Sequence, residues 1–356
     1  MSPRAARLAG HVALVLAGAF AVALLASAPA DAEFGYDLDA YLGAADRLVA
    51  GEPLYPAAAE DGITPGPAGA FFYPPLVAAA FVPLAALPPE TAHLAWFGVL
   101  ILLAAVIGIA LVRSLPADRR DLAAAAYLAY LPLLSELRFG NVNLVTLALC
   151  LLAWRNRDRA PLAGAFLAAA IGLKLLPVAL VVFLLAAGRW RIAAWAGAIA
   201  LAAVAASWPW LGGTWLDYIG VVGAIGTGAP ASGSNIVIDL FADPPLRYLL
   251  PAVALGVAAT AGWAARRRPS AEAPAFRTAL AAAPLLATTV WYPYLVLALP
   301  AILARGGGDT RTASATRTAG WLAIESRLSP LPLLGLTAVV ARGILGLRDE
   351  SEEGHE

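Results

Sequence analysis

The chain has 356 residues, of which 61% are hydrophobic and only 13% are charged, and its formal net charge is zero. Soluble domains carry about 25% charged residues, so this composition excludes a soluble enzyme and predicts an integral membrane protein with the lipid bilayer as a partner. The lack of net positive charge argues against nucleic acid as a partner. The single cysteine, Cys150, excludes an intrachain disulfide. We expect one polytopic membrane domain over residues 1–356.

The first apolar run extends from about residue 8 to residue 28 and follows Arg4 and Arg7. Together with the Ala-Pro-Ala-Asp-Ala sequence after it, this run resembles a secretory signal. Signal peptides have apolar regions of about 7–15 residues, whereas a run of about 20 residues is enough to span a bilayer. We therefore favour a retained membrane helix over a cleaved signal.

The next segment, residues 31–73, is polar and acidic, with eight of the 24 carboxylates and one basic residue, Arg47. Residues 74–88 are apolar but form a short run that contains Pro83, which we interpret as an interfacial or re-entrant helix. Residues 29–91 are therefore predicted to form an outer loop that carries short interfacial helices.

Apolar runs of spanning length, or pairs of shorter runs split by Gly, Pro or polar residues, recur along the rest of the chain. They predict an all-α polytopic fold with about ten or eleven transmembrane helices. A last apolar segment, residues 328–346, either spans or lies in the interface, and residues 347–356 form an acidic tail. The other predicted spans are residues 8–28, 92–112, 122–138, 141–154, 160–173, 174–188, 192–210, 246–265, 276–290 and 292–304.

Arginine clusters indicate the orientation, because cytoplasmic loops carry the excess of Lys and Arg. All clusters fall on the cytoplasmic side only if residues 74–88 do not cross the membrane; a crossing would invert everything after it. The polar segments 31–73, 138–143, 172–174, 211–245 and 291–294 then share the outer face and predict one site there. The clusters are Arg4/Arg7, Arg113/Arg119/Arg120, Arg155/Arg157/Arg159, Arg189/Arg191, Arg266/Arg267/Arg268 and Arg305/Arg311/Arg317.

Lys174 is the only lysine of the chain and lies between two apolar helices. An ionised residue at membrane depth costs about 2.5–3.5 kcal/mol and indicates a functional site with a partner. A lysine ammonium is a compact charge that suits a phosphate. The alternative is a lysine that extends from a helix end to the interface, but the leucines on either side of Lys174 favour the functional interpretation.

Two carboxylates, Asp37 and Asp39, are candidate catalytic residues in the acidic loop. A carboxylate beside the membrane can act as a general base toward an attacking hydroxyl. In a strand the two side chains would share a face, and in a short helix they would diverge. Alternatively, both are solvated loop charges or a helix N-cap before residues 40–49. Asp-Leu-Asp also matches the metal-binding DxD of nucleotide-sugar enzymes, but we discount that interpretation because the loop faces outward.

Arg138, Asn141 and Asn143 form a polar turn between two apolar helices. Buried amides need hydrogen-bond partners, so they either satisfy helix ends or bind sugar hydroxyls, and the sequence favours neither. Glu136 is close enough to pair with Arg138, which would be a structural role. Aromatic side chains crowd the same face, and Tyr73, Tyr292 and Tyr294 are candidate substrate contacts. Walker, Rossmann, Cys/His metal and Gly-x-Ser-x-Gly motifs are not found, so neither a cofactor nor a metal is predicted.

Several short motifs, in order, closely resemble those of glycosyltransferase family 87. They are Asp37-Leu38-Asp39-Ala40-Tyr41, Gly51-Glu52-Pro53-Leu54-Tyr55, Phe72-Tyr73-Pro74-Pro75-Leu76, Gly140-Asn141-Val142-Asn143, Lys174-Leu175-Leu176-Pro177 and Arg189-Trp190-Arg191. The resemblance covers residues 35–195 well and the remainder loosely. The sequence departs from the family at residues 288–294, where a histidine contact to substrate is missing or replaced, with Tyr292 and Tyr294 as candidates.

The resemblance implies a polyprenyl-phosphate-mannose-dependent mannosyltransferase with the C-type membrane fold. It implies an inverting transfer from a polyprenyl-phosphate sugar to a glycolipid or glycan acceptor, on the extracytoplasmic side of the cell membrane. It also implies that Asp37 is the general base, that Lys174 lies near the donor phosphate, and that no metal or nucleotide takes part. The other hypotheses are a transporter or flippase of a lipid-linked saccharide, and a non-catalytic scaffold of an envelope-synthesis complex.

Overall fold

A computed structural model describes residues 3–27, 34–55, 71–225, 236–238, 248–287, 290–303, 311–325 and 331–349. Parts of several predicted segments lie outside these described residues: 56–70 of the outer loop, 226–235 and 239–247, and the end of the acidic tail. The described chain is almost entirely helical and confirms the predicted all-α class.

Fifteen α-helices, numbered here in chain order, make up most of the described residues. The first eight are α1 (Pro3–Ser27), α2 (Tyr36–Ala50), α3 (Pro75–Ala85), α4 (Pro89–Arg113), α5 (Arg120–Leu128), α6 (Leu131–Phe139), α7 (Asn143–Arg155) and α8 (Ala160–Leu173). The others are α9 (Val178–Ala186), α10 (Trp190–Ile225), α11 (Leu249–Arg267), α12 (Glu272–Ala282), α13 (Leu299–Leu303), α14 (Arg311–Glu325) and α15 (Leu331–Asp349).

Short 3₁₀ turns and one small sheet connect some of these helices. The 3₁₀ turns are Ala117–Arg119, Pro269–Ala271, Ala283–Leu286 and Tyr292–Ala298. Strands β1 (Ile236–Ile238) and β2 (Val290–Trp291) pair antiparallel, with Ile236 opposite Trp291 and Ile238 opposite Val290. The sheet therefore joins the segment after α10 to the chain that leads into the Tyr292–Ala298 turn.

Four helices of the described residues are long and apolar enough to cross a membrane, namely Arg7–Ser27, Pro89–Arg113, Trp190–Val222 and Leu249–Arg267. The pair α5 and α6 would add a fifth span, but it is bent by 45°. The predicted spans 141–154, 160–173 and 292–304 correspond to shorter apolar helices of 10–17 residues, and the spans 174–188 and 276–290 overlap helices of 9 and 11 residues. Each is below the length of about 20 residues that crosses a bilayer alone. Exposed side chains on the long helices, such as Leu94, Leu201 and Trp210, suit contact with lipid.

Proline explains most of the differences from the predicted spans. The span predicted at 122–138 is two helices, because Pro132 at the start of α6 cannot donate to the preceding turn. Helix α9 begins only after Pro177, and Pro284 and Pro293 lie in 3₁₀ turns where the spans 276–290 and 292–304 were predicted. Helices α2 and α14 were not predicted as spans, and each is 15 residues long.

Helix α3 corresponds to the predicted short helix at residues 74–88. Its 11 residues give a length of about 17 Å at 1.5 Å per residue, about half of the apolar thickness of a bilayer. It packs against α2, and the two helices share an apolar cluster that includes Leu38, Tyr41 and Phe81. This cluster is separate from the main core, which α4 to α15 provide.

Helices α9 and α11 approach each other closely at Gly262. A Cβ atom on Gly262 would collide with the carbonyl oxygen of Phe183 and lie 2.8 Å from the Cβ of Ala186. Membrane helices often associate through such small residues, because close backbone approach increases the packing contacts between them.

We expect Gly262→Ala to lower the apparent melting temperature of the purified protein in detergent, since an overpacked core costs about 1–3 kcal/mol. Gly256→Ala is the matched control in the same helix, because a Cβ at Gly256 meets no atom within 4 Å. Equal melting temperatures for the two variants would contradict the close approach of α9 and α11.

Candidate active site

Helix α2 directs its two aspartates to opposite sides. Residues two apart on an α-helix are rotated by about 200°, so the side chains of Asp37 and Asp39 diverge. Asp37 is half-buried, and its Oδ2 accepts a hydrogen bond of 2.7 Å from Nδ2 of Asn141. Oδ1 of Asp39 lies 3.0 Å from Nε2 of His93, and its side chain is 45% exposed. Only Asp37 therefore points toward the polar turn between α6 and α7.

The turn between α6 and α7 is held against α2 at Gly140. This residue has φ of 71°, a left-handed conformation that glycine adopts without steric cost. A Cβ at Gly140 would lie 3.0 Å from the Cβ of Leu38. Its carbonyl oxygen accepts a hydrogen bond of 2.7 Å from Nε1 of Trp96 on α4. These contacts fix the distance between Asp37 and the asparagines that follow the turn.

Glu136 is fully buried one turn before Gly140. Its Oε2 accepts a hydrogen bond of 2.8 Å from Nδ2 of Asn143, and its Oε1 accepts one of 2.9 Å from the backbone N–H of Leu144. The second bond satisfies a free N–H at the start of α7, where a negative charge also suits the helix dipole. Glu136 thus accepts hydrogen bonds from the start of α7. Its position in the sequence near Arg138 did not indicate this role.

Lys174 lies at the break between α8 and α9 and is 8% exposed. Its backbone is extended, and its Nζ donates a hydrogen bond of 2.9 Å to Oδ1 of Asn143. The ammonium also lies 3.6 Å from the ring centre of Tyr294 and 5.3 Å from that of Tyr73. Aromatic faces attract a cation most strongly where water is excluded. The contacts of Lys174 are therefore polar and aromatic.

The two asparagines join the cation to both carboxylates. Asn143 donates from Nδ2 to Glu136 and to Oδ1 of Asn141, at 2.8 Å in each case. Asn141 in turn donates from Nδ2 to Asp37 and, at 3.3 Å, to the hydroxyl of Tyr73. A continuous chain of hydrogen bonds thus runs from the Lys174 ammonium to the Asp37 carboxylate.

Burial raises the pKa of Asp37 above its ordinary value of 3.8. The hydrogen bond from Asn141 and the positive charge of Lys174 act in the opposite direction, because both favour the ionised carboxylate. Asp37 lies on α2, outside the long apolar helices. The site therefore holds a carboxylate that is more basic than a solvated aspartate.

Three further predicted site residues have contacts outside this cluster. Tyr292 is buried, and its hydroxyl donates to the carbonyl of Ile324 on α14 at 3.0 Å. The carbonyl of Arg138 accepts a hydrogen bond from the backbone N–H of Gly35, and Arg138 lines a crevice together with His93 and Leu38. Asp39 pairs with His93, which lines that crevice. The cluster itself holds the predicted residues Asp37, Tyr73, Asn141, Asn143, Lys174 and Tyr294.

Within the ranges that the structure describes, no group of three or more His, Cys, Asp or Glu side chains could hold a metal ion. The cluster itself can do two things. Asp37 can accept a proton, and Lys174 can attract an anion beside it.

Fold and cluster together define a polytopic all-α membrane protein in which one buried lysine and one half-buried aspartate share a polar site. The chain belongs to glycosyltransferase family 87, whose sequence model matches residues 71–293. The match includes Tyr73, Asn141, Asn143 and Lys174, and it begins after Asp37.

A curated relative is the polyprenol-phosphate-mannose-dependent alpha-(1-2)-phosphatidylinositol pentamannoside mannosyltransferase of Mycolicibacterium smegmatis (strain ATCC 700084 / mc(2)155). It is 34% identical over 176 residues, which are 48% of this chain and 42% of the relative. The aligned part therefore spans less than half the length of that relative. No solved structure matches the chain.

Asn143→Ala is expected to destabilise the protein, because it removes hydrogen bonds from a buried ammonium and a buried carboxylate. Hydrogen bonds to charged groups contribute about 1.5–3 kcal/mol each. The control is Asn156→Ala at the other end of α7, where Nδ2 donates only to the carbonyl of Leu152 in an exposed position. Thermal unfolding in detergent measures both, and equal melting temperatures would contradict a stabilising role of Asn143.

Proposed function

We propose that the protein is a membrane glycosyltransferase that transfers mannose from a polyprenyl-phosphate donor to a hydroxyl of a glycolipid or glycan acceptor. Membership of glycosyltransferase family 87 supports the reaction class, and the name of the relative supports the donor. The observation that carries the proposal is the hydrogen-bond chain from Lys174 to Asp37. It brings a carboxylate that can accept a proton and a cation that can bind an anion to one site.

In the proposed reaction, the acceptor hydroxyl oxygen attacks the anomeric carbon of the donor sugar while Asp37 takes the hydroxyl proton. A new bond forms between the acceptor oxygen and the anomeric carbon, and the bond from that carbon to the phosphate oxygen breaks. The polyprenyl phosphate leaves with an additional negative charge. Because attack and departure occur on opposite faces of the sugar, the configuration at the anomeric carbon is inverted.

Lys174 is proposed to stabilise the charge that develops on the leaving phosphate. A cation that is already in place in a water-poor site stabilises such charge without reorganisation during the reaction. The loss of one comparable donor in an oxyanion hole costs about 10²–10³ in rate. Tyr73 and Tyr294, which already contact the ammonium, are proposed to line the donor site.

The site is proposed to face the extracytoplasmic side. Helix α7 begins at Asn143, in the polar cluster, and ends at Arg155, beside Arg157 and Arg159. Helix α8 runs from that arginine-rich connection back to Lys174. The polar cluster and the arginines thus lie at opposite ends of the same two helices. Because arginine-rich loops are retained in the cytoplasm, this arrangement supports an outward-facing site in a multi-pass protein of the cell membrane.

Asp37→Asn is expected to leave the protein folded and inserted but to lower sugar transfer by about 10²–10⁴, the usual contribution of a general base. The amide oxygen of the introduced asparagine can still accept the hydrogen bond from Asn141, so the site keeps its shape. Transfer is measured with purified protein, a polyprenyl-phosphate mannose and candidate glycolipid acceptors. Undiminished transfer by this variant would contradict the role of Asp37.

Asp46→Asn is the matched control, because Asp46 is an exposed carboxylate on the same helix. It should leave the rate unchanged. Asp39→Asn tests the other aspartate of the loop and should have the smaller effect, since Asp39 pairs with His93 away from the cluster. Transfer by the purified wild type would also distinguish an enzyme from a transporter or a scaffold.

The pH dependence of kcat/KM follows from the raised pKa of Asp37. The base works only when ionised, so kcat/KM should fall as the pH drops through that pKa, which lies above the 3.8 of an ordinary aspartate. Asn141→Ala removes a hydrogen bond that lowers this pKa, and the acid limb should therefore move to higher pH. Asn156→Ala serves as the control, and an acid limb that does not move in Asn141→Ala would argue against Asp37 as the base.

A further inference from the structure

Glu136 is a buried carboxylate that the proposed reaction does not use. We infer that Glu136 is a positioning residue that fixes the amide of Asn143 and thereby aims the Lys174 ammonium at the donor phosphate. This inference rests on the proposed function.

The first observation behind this inference is the orientation of the Asn143 side-chain amide. An ammonium can only donate hydrogen bonds, so Oδ1 of Asn143 must face Lys174, at 2.9 Å. The NH₂ group then has two hydrogens for two acceptors, Oε2 of Glu136 and Oδ1 of Asn141, each at 2.8 Å. If the amide were reversed, its NH₂ group would face the ammonium and its oxygen would face the carboxylate. The charges on Lys174 and Glu136 thus select one orientation.

Both oxygens of Glu136 are needed as acceptors. Oε2 accepts from Asn143, and Oε1 accepts from the backbone N–H of Leu144, which cannot move without unwinding the start of α7. A glutamine at this position would have one acceptor oxygen, and its own NH₂ group would face a second donor. The side chain of Asn143 would then rotate away from its present orientation, because the backbone N–H of Leu144 cannot rotate. Lys174 would then lose its acceptor.

The consequence for the reaction is specific. A displaced ammonium binds the donor phosphate less well both before and during bond cleavage, so donor KM should rise as kcat falls. A purely structural role of Glu136 would reduce the amount of folded enzyme, which lowers the apparent kcat but leaves KM unchanged. The two roles therefore predict different kinetic parameters.

The test is a double-mutant cycle of Glu136→Gln and Lys174→Met. Transfer is measured in detergent from a synthetic prenyl-phosphate mannose to an alkyl mannoside, with gel filtration and thermal unfolding as checks of folding. We expect Glu136→Gln to raise donor KM by about 10-fold and Lys174→Met to lower kcat/KM by about 10²-fold. If Glu136 acts through Lys174, the double variant should be no worse than Lys174→Met alone. Asp46→Asn combined with Glu136→Gln is the control pair and should simply show the effect of Glu136→Gln.

Each outcome decides the question. No transfer by the wild type would overturn the proposed function itself. Transfer by the wild type with an unchanged donor KM in Glu136→Gln, or with additive losses in the double variant, would overturn the positioning role alone. If Glu136→Gln does not fold but the double variant does, the coupling of the two charges is supported; if neither folds, Glu136 is structural and the inference is wrong.

Discussion

Burying the ammonium of Lys174 among apolar helices costs about 2.5–3.5 kcal/mol on insertion scales, and the elements around it offset that cost. Asn143 gives it an acceptor, Glu136 gives it a nearby opposite charge, and Tyr294 covers it with an aromatic face. Lys174 and these partners come from three separate parts of the chain. The break between α8 and α9, the turn between α6 and α7, and the 3₁₀ turn before α13 are therefore tied to one another through one cation.

Helix α2 is attached to this arrangement by apolar packing and by polar contacts that include the hydrogen bond between Asp37 and Asn141. Leu38 and Tyr41 are buried against α3, and Gly140 lets the turn between α6 and α7 approach Leu38 closely. With the helix fixed in this rotation, Asp37 reaches Asn141 whereas Asp39 faces His93. Apolar contacts thus direct Asp37 toward the polar turn and Asp39 away from it, a difference that the spacing of the two aspartates alone could not predict because it fits both a strand and a helix.

The composition, and the polar residues that interrupt the apolar runs of the sequence, were enough to predict the helical membrane class, the short helix α3 and most residues of the cluster. A polar side chain in an apolar chain is informative, because burial forces it to find partners. The rotation of each helix could not be predicted, since helices that are apolar on every side have no preferred face in their pattern. Glu136 shows the result: the sequence indicated only its neighbour Arg138 as a partner, and the structure adds Asn143 and Leu144, across the turn. Tyr292 shows the same limit, because its hydroxyl turns to α14, a helix that the sequence did not predict.

The direction of the hydrogen bonds matters for the proposed chemistry. Lys174 can only donate hydrogen bonds. The side-chain amides of Asn143 and Asn141 therefore each direct the oxygen toward the Lys174 end of the hydrogen-bond chain and the NH₂ group toward a carboxylate. Asp37 is at the end of this chain as an acceptor, which favours its ionised form, while burial favours its neutral form. Burial is the larger of these influences, so the pKa of Asp37 lies above that of a solvated aspartate. The ionised form of Asp37 is therefore a stronger base than a solvated aspartate, and the hydrogen bond from Asn141 limits how far burial raises the pKa.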